Sequence, residues 1–187
     1  MSNAARVRGG GGAFRHIVAA VSRTAPAPEP EPEPEPFRLL LRVRYCECDA
    51  QGIVFNARWG DYADIASGEY VRALLGSVDP AVTGADWRLV KQTTEWRAPA
   101  RYDDVLDVRV RTLRVGTTSF VLETEYRRHP DGAPLARTET VCVMVDPSGQ
   151  KRPIPDETRA VLERGAPGVI VDHAAALNRD RSSGRIP

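Results

Sequence analysis

The sequence contains few of the residues from which common nucleophilic and metal sites are built. Three histidines occur in 187 residues, and His16 and His173 lie near the two ends of the chain. His129 is followed by Pro-Asp-Gly, which is typical of a turn. A Ser-His-Asp or Cys-His site needs a histidine in the core, so both are disfavoured, and a histidine-rich metal site is disfavoured for the same reason.

Cysteine is equally scarce. Cys46, Cys48 and Cys142 are an odd number without a C-x-x-C pair, which fits neither a disulfide framework nor a zinc site. A reducing compartment, the cytoplasm, is therefore expected. Cys46 and Cys48 are two residues apart in a strand-like run, and we interpret them as small packed side chains on one face.

The chain also lacks a charge excess and a long apolar run. Its 26 basic and 25 acidic side chains give a formal net charge of +1, which provides no basic field for binding nucleic acid. No run of about eighteen apolar residues could span a bilayer, so membrane insertion is not expected.

Composition divides the chain into three parts. Residues 26–36 read PAPEPEPEPEP, which favours an extended polyproline II linker. Residues 1–25 contain no acid and predict a solvated tail, although such a start also resembles a transit peptide. We expect residues 1–36 to be disordered, residues 37–164 to form one domain, and residues 165–187 to be mostly disordered.

Periodicity within this domain predicts one long helix. Residues 57–75 bring apolar side chains to one face at three- and four-residue steps, and Gly76 follows as a C-cap. The face consists of Trp59, Tyr62, Ala63, Ala66, Tyr70 and Leu74. A second, short helix is predicted over residues 156–163.

Five segments alternate at period two, as strands do. Phe37–Cys48 carries Leu39, Leu41, Val43 and Tyr45 on its apolar face. The other four are Trp87–Ala98, Val105–Val115, Thr118–Arg128 and Leu135–Val145. Short turns connect the last three and favour antiparallel pairing. The fold class is therefore α+β, with an antiparallel five-stranded sheet wrapped around one central helix.

The segment between the first strand and the helix is unusual for a plain connection. It places Asp49 at a strand end, then Gly52, then the apolar group Ile53 to Phe55 before Asn56. Asp49 fits an aspartate turn as well as a reactive carboxylate. Asn56 fits a helix N-cap, which is also compatible with function.

These residues carry a resemblance to a known family. Y-C-E-C-D-A-Q-G-I-V-F-N-A-R-W, residues 45–59, resembles the signature of hotdog-fold acyl-CoA thioesterases of the 4-hydroxybenzoyl-CoA thioesterase group. W-R-A-P-A-R-Y-D-D at 96–104 and Ile154-Pro155 extend the similarity over nearly all of residues 37–163. The resemblance implies hydrolysis of an acyl-CoA to a carboxylic acid and CoA, without a metal or an organic cofactor.

The resemblance also implies catalytic roles. The aspartate at the position of Asp49 attacks the thioester carbonyl or activates water, and the backbone N–H at Asn56 polarises that carbonyl. Gly52 permits the turn that brings the carboxylate close. Asp64 lies where relatives often have glutamate and would orient substrate or assist water, although a solvated helix face also explains it.

Substrate contacts follow from the same resemblance. Val54, Phe55 and Trp59 are candidates for acyl binding, with Trp87 and Trp96 more distant; ordinary core packing is the alternative for each. Arg97 and Arg101, with Arg127 and Arg128 as further candidates, are available for the CoA phosphates, although a solvated surface also explains them. A homodimer or homotetramer with shared active sites is expected. Two other functions remain open, a thioesterase acting on acyl carrier protein in a polyketide-type pathway and a non-catalytic acyl-CoA-binding module.

Overall fold

The computed structural model describes residues 35–177. Its strands are β1 (Phe37–Arg42), β2 (Asp86–Trp96), β3 (Val105–Val115), β4 (Ser119–His129), β5 (Pro134–Val145) and β6 (Ile170–Asp172). Its helices are α1 (Arg58–Leu75), α2 (Pro80–Thr83) and α3 (Asp156–Arg164). No helix within residues 35–177 is both long and apolar enough to cross a membrane.

The strands form one sheet in the order β2-β5-β4-β3-β1-β6. All neighbouring strands pair antiparallel except β1 and β6, which are parallel. The expected α+β architecture is confirmed, but the sheet has six strands where five were predicted.

Helix α1 supplies the core that covers one face of this sheet. All six residues predicted for its apolar face are buried, and they pack with inward-facing residues of the strands such as Leu106 and Leu122. The helix ends where Gly76 adopts a left-handed conformation with φ of 77°. It begins with Ala57, not Asn56, at the N-cap, and no side chain caps it. The cap interpretation of Asn56 is therefore wrong.

Strand β1 is shorter than its sequence pattern predicts. It ends at Arg42, and a single 3-10 turn follows over Tyr45–Glu47 because the Glu47 carboxylate accepts a hydrogen bond from the Arg44 N–H at 2.6 Å. The turn breaks the period-two alternation, so the Tyr45 side chain is 81% exposed instead of buried. Cys46 is likewise exposed and not packed.

The sixth strand comes from a segment expected to be mostly disordered. Residues 165–177 are ordered, and β6 pairs with Arg38–Leu40 of β1. Beyond β6, Ala174 and Ala176 cover Leu40, which faces away from α1 and is fully buried. Residues 178–187 lie outside the described part of the chain, as does the predicted linker and tail apart from Glu35 and Pro36.

The sheet face opposite α1 carries a buried acid. Glu123 on β4 is 2% exposed, and its two carboxylate oxygens accept hydrogen bonds from Arg111 and Arg137 on the flanking strands. Burial alone would raise the pKa of Glu123, but the two arginines outweigh it and hold the pKa below its ordinary value of 4.5.

This arrangement predicts acid lability. A pKa lowered by folding stabilises the protein above pH 4.5, and that contribution is lost as the pH falls through the folded-state value. Glu123→Gln should lower the free energy of unfolding by about 1.5–3 kcal/mol at pH 7 and by progressively less below pH 4.5. Urea unfolding across this pH range measures the effect, with Glu125→Gln on the more exposed part of the same strand as control. Parallel pH profiles for Glu123→Gln and the parent protein would contradict the prediction.

Candidate active site

A tight hairpin loop presents Asp49 between β1 and α1. Cys48 and Val54 form an antiparallel bridge, and the Asp49 N–H donates to Ile53 O at 2.9 Å. The loop reverses at Gly52, whose N–H donates to Asp49 O at 2.9 Å. Gly52 has φ of +72°, a conformation that favours glycine.

The two oxygens of the Asp49 carboxylate have different surroundings. Its Oδ1 accepts the N–H of Gln51 at 2.8 Å, so the expected aspartate turn is present. Within residues 35–177, Oδ2 has no hydrogen-bond partner, and no basic side chain forms an ion pair with Asp49. One carboxylate oxygen therefore fixes the loop, and the other is available for chemistry.

The start of α1 lies beside this loop and offers backbone donors. The first helical N–H groups, those of Arg58, Trp59 and Gly60, bond back to the carbonyls of residues 55–57. The N–H of Asn56 donates to no acceptor among the described residues. It lies at the positive end of the helix dipole, where developing negative charge is stabilised.

Asp49 and Asn56 line the same groove, which has a volume of about 570 Å³. Most of the remaining lining is apolar and includes Val54, Phe55, Trp59 and Trp96. Trp59 is 2% exposed and forms the base of the groove, whereas Trp96 is 54% exposed at the end of β2. An acyl group in this groove would lie beside both Asp49 and Asn56.

The four arginines predicted to contact the CoA phosphates differ in position and in their ion pairs. Arg97 lines the Asp49 groove, and Arg101 forms a bridge to Ile53 in the loop. Neither guanidinium forms an ion pair within the described residues. Arg127 pairs with Glu125 and Arg128 with Asp104, so their charges are already engaged.

Asp64 lies in a second groove and does not meet Asp49 within one chain. This groove, of about 540 Å³, runs between α1 and β2 and includes Trp87 and Leu89. Burial, and secondarily the charge of Asp64, raises the pKa of the nearby Cys142 thiol to about 11. Helix α1 approaches β2 closely at Gly60, where an added Cβ would lie 3.4 Å from Gln92 Oε1.

Sequence reasoning missed one buried acid beside the site. Glu47 is 3% exposed and bonds to Arg44 and to Tyr62 of α1. An acid between two cysteines in an apolar run is the signal that could have indicated a buried carboxylate. Residues 35–177 contain no cluster of three or more histidine, cysteine, aspartate or glutamate side chains that could hold a metal ion.

Comparison with known proteins identifies the family. Residues 43–162 match the model of the thioesterase-like superfamily, and the chain belongs to that superfamily. The match spans the Asp49 loop, α1 and the strands from β2 to β5. The fold is accordingly the hotdog fold, and the protein is a thioester hydrolase.

Solved structures agree with this assignment. A hypothetical protein from Aquifex aeolicus is 28% identical, with a TM-score of 0.63 over 68% of this chain and 99% of that one. A thioesterase from Thermus thermophilus, solved with coenzyme A and zinc, is 25% identical, with a TM-score of 0.62 over 71% and 95%. A 1,4-dihydroxy-2-naphthoyl-CoA thioesterase from Synechocystis is 19% identical, with a TM-score of 0.61 over 67% and 94%, and shares the fold. No protein with a curated description matches the sequence.

Proposed function

We propose that the protein hydrolyses an acyl-CoA thioester to a carboxylic acid and CoA, with Asp49 as the reactive carboxylate. The observation that supports this proposal is the shared groove, in which Asp49 and Asn56 lie beside apolar side chains. Hydrolysis of a thioester requires a nucleophile or base on one side of the carbonyl and a donor for its oxygen on the other.

The proposed chemistry uses the Asp49 carboxylate, the Asn56 N–H and water. Asp49 either accepts a proton from a water molecule that attacks the thioester carbon or attacks that carbon itself. The carbonyl oxygen gains negative charge and accepts a hydrogen bond from the Asn56 N–H at the start of α1. Collapse of the intermediate breaks the C–S bond and releases the CoA thiolate, which takes up a proton. Where Asp49 itself attacks, the product of this step is an anhydride between Asp49 and the acyl group, and water then hydrolyses it to release the carboxylic acid and restore the Asp49 carboxylate.

Two arginines support CoA as the thiol component. Arg97 lines the groove and Arg101 adjoins the Asp49 loop, and both are exposed. Guanidinium groups without an acidic partner are suited to the phosphates of CoA. The Thermus thermophilus thioesterase solved with coenzyme A is a relative with that ligand.

The β2 edge supports assembly into a dimer. Strand β2 pairs with β5 on one side and has no partner on the other among the described residues, and its Leu89 and Val90 are exposed. Antiparallel pairing of two copies through β2 would place the Trp96 end of one strand beside the Trp87 end of the other. The Asp64 groove of the partner would then adjoin the Asp49 groove, which gives Asp64 its proposed role in a shared site.

Light scattering at micromolar concentration tests this assembly. We expect at least a dimer, with Val90→Glu raising its dissociation constant by about tenfold or more because like charges would meet near the two-fold axis. Leu113→Glu is the matched control, since Leu113 is also an exposed apolar residue at a strand irregularity, but on β3. A monomeric parent protein would contradict a shared site.

A thiol-release assay tests the proposed function directly. The protein is incubated with acyl-CoA substrates of different chain lengths and with aromatic acyl groups, and release of free CoA is measured with a thiol-reactive dye. Acyl carrier protein substrates are run alongside. Turnover of the carrier-protein substrates alone would show that acyl carrier protein, and not CoA, is the thiol component. Binding of acyl-CoA without hydrolysis would favour the non-catalytic module.

A further inference from the structure

The buried acid Glu47 has no part in the chemistry proposed above, yet its carboxylate is fully occupied. Oε1 accepts from Arg44 Nε at 2.8 Å and from Arg44 Nη2 at 2.5 Å. Oε2 accepts from the Arg44 backbone N–H at 2.6 Å and from the Tyr62 hydroxyl at 2.8 Å. Four donors therefore surround one carboxylate that is shielded from solvent.

These contacts keep the carboxylate charged. Burial on its own would raise the pKa of Glu47, but the hydrogen bonds from Arg44 and Tyr62 outweigh it and hold the pKa below its usual value. Burial, reinforced by the bond to Glu47, raises the pKa of Tyr62. Both shifts favour a phenol that donates and a carboxylate that accepts.

Glu47 is also the residue at the base of the Asp49 hairpin. Its backbone carbonyl accepts the N–H of Phe55 at 2.9 Å, which joins the two ends of the loop. Asp49 lies two residues after Glu47 on one arm, and Asn56 lies directly after Phe55 on the other. A shift of Glu47 would therefore move the carboxylate and the backbone donor relative to each other.

The Tyr62 hydroxyl fixes this base to the helix. Tyr62 is fully buried, slightly more than one turn into α1, so its bond to Glu47 links the hairpin to a rigid element. We propose that Glu47 and Tyr62 are positioning residues, which set the Asp49 carboxylate against the Asn56 N–H. This inference rests on the proposed function of Asp49.

Tyr62→Phe tests the proposal because it removes one hydroxyl and leaves the ring. We expect kcat to fall roughly tenfold with KM nearly unchanged, since misplaced reacting groups slow the chemical step more than they weaken binding. Tyr70→Phe is the matched control. Tyr70 is equally buried on the same helix two turns further on, and its hydroxyl bonds to Thr112 Oγ1 at 3.0 Å, away from the loop.

Thermal unfolding of both variants separates positioning from stability. We expect similar decreases in melting temperature and a loss of kcat in Tyr62→Phe alone. Glu47→Gln should lower kcat by about 100-fold relative to the parent protein. The amide nitrogen of glutamine would face a hydrogen-bond donor, Arg44 or Tyr62, where the carboxylate has an acceptor oxygen. Equal kcat values for Tyr62→Phe and Tyr70→Phe would overturn the proposal, as would a loss of kcat in both.

The Asp49→Asn variant distinguishes failure of this inference from failure of the proposed function. If Asp49→Asn abolishes turnover while Tyr62→Phe behaves like Tyr70→Phe, Asp49 stays catalytic and the positioning role is wrong. If Asp49→Asn retains full turnover, the proposed function of Asp49 is wrong, and the positioning role fails with it.

Discussion

Replacing Asp49 with asparagine should lower kcat by about 100- to 10,000-fold while the fold is retained. Asparagine has nearly the same shape, and its side-chain oxygen can still accept the Gln51 N–H that now bonds to Asp49 Oδ1. The variant loses only the charge and basicity of the second oxygen. Affinity for acyl-CoA should change little, because the Asn56 N–H and the apolar groove are intact.

Asp61→Asn is the matched control for this experiment. Asp61 lies in the first turn of α1, is exposed, and pairs with Arg58 at the surface. It undergoes the same chemical change close to the helix start but outside the Asp49 groove, so its kcat should equal that of the parent. Thiol release gives kcat, and equilibrium binding of acyl-CoA gives affinity. Undiminished turnover in Asp49→Asn would refute the catalytic assignment.

Truncation of the two tryptophans of the Asp49 groove should have different effects, on stability for Trp59 and on substrate binding for Trp96. Trp59 is buried, its ring contacts those of Tyr62 and Tyr126 at centroid distances of 6.0 and 5.0 Å, and its carbonyl accepts the Tyr126 hydroxyl. Trp59→Ala should therefore lower the free energy of unfolding by about 3–5 kcal/mol. Trp96 is half exposed, so Trp96→Ala should lower it by less than about 1 kcal/mol and instead raise KM for acyl-CoA.

Urea unfolding and steady-state kinetics on the two variants check this contrast. Trp59→Phe serves as a second variant that retains an aromatic ring, and its loss of stability should be smaller than that of Trp59→Ala. Equal destabilisation by Trp59→Ala and Trp96→Ala would show that the base of the groove is not part of the core. An unchanged KM in Trp96→Ala would remove Trp96 from the binding surface.

The long helix could be predicted because one face of it is buried along its whole length. Every residue of the predicted apolar face, from Trp59 to Leu74, is buried, and Gly76 ends the helix as expected. Strands β3 to β5 were predicted within two residues for a related reason, since each has buried residues that pack in the core with α1. Strand β2 was also predicted within two residues, although none of its residues is buried in the single chain. Periodicity indicates burial on one side, which is observed for α1 and for β3 to β5.

The ends of the sheet could not be predicted as well. The apolar residues of the first strand alternate at period two as far as Tyr45. The structure has a turn there instead, because the Arg44 N–H donates a hydrogen bond to the Glu47 carboxylate. Strand β6 is three residues long, too short for a periodic signal. The consecutive leucines Leu39, Leu40 and Leu41 were the available evidence, because a strand that is apolar on both faces must be covered on both.

The candidate site was predicted where it depends on a few consecutive residues. Asp49, Gly52 and Asn56 belong to one loop, and the structure brings Asp49 and Asn56 to one groove. That Asp64 and Asp49 line different grooves could not be read from the sequence, because it depends on how α1 packs against the strands. The contact between Glu47 and Tyr62 joins residues fifteen positions apart and was likewise hidden.

The short strand β6 forms one edge of the sheet. It pairs with β1, and the Asp172 carboxylate then accepts the N–H groups of Ala174, Ala176 and Leu177, which turns the chain away from the sheet. A strand this short, followed by a turn, is a poor template for another chain. Association through sheet edges would therefore use β2 alone, and a two-fold pairing through a single edge closes on itself. We therefore expect a closed assembly, in which the short strand β6 at the other edge of the sheet is a poor starting point for a fibre.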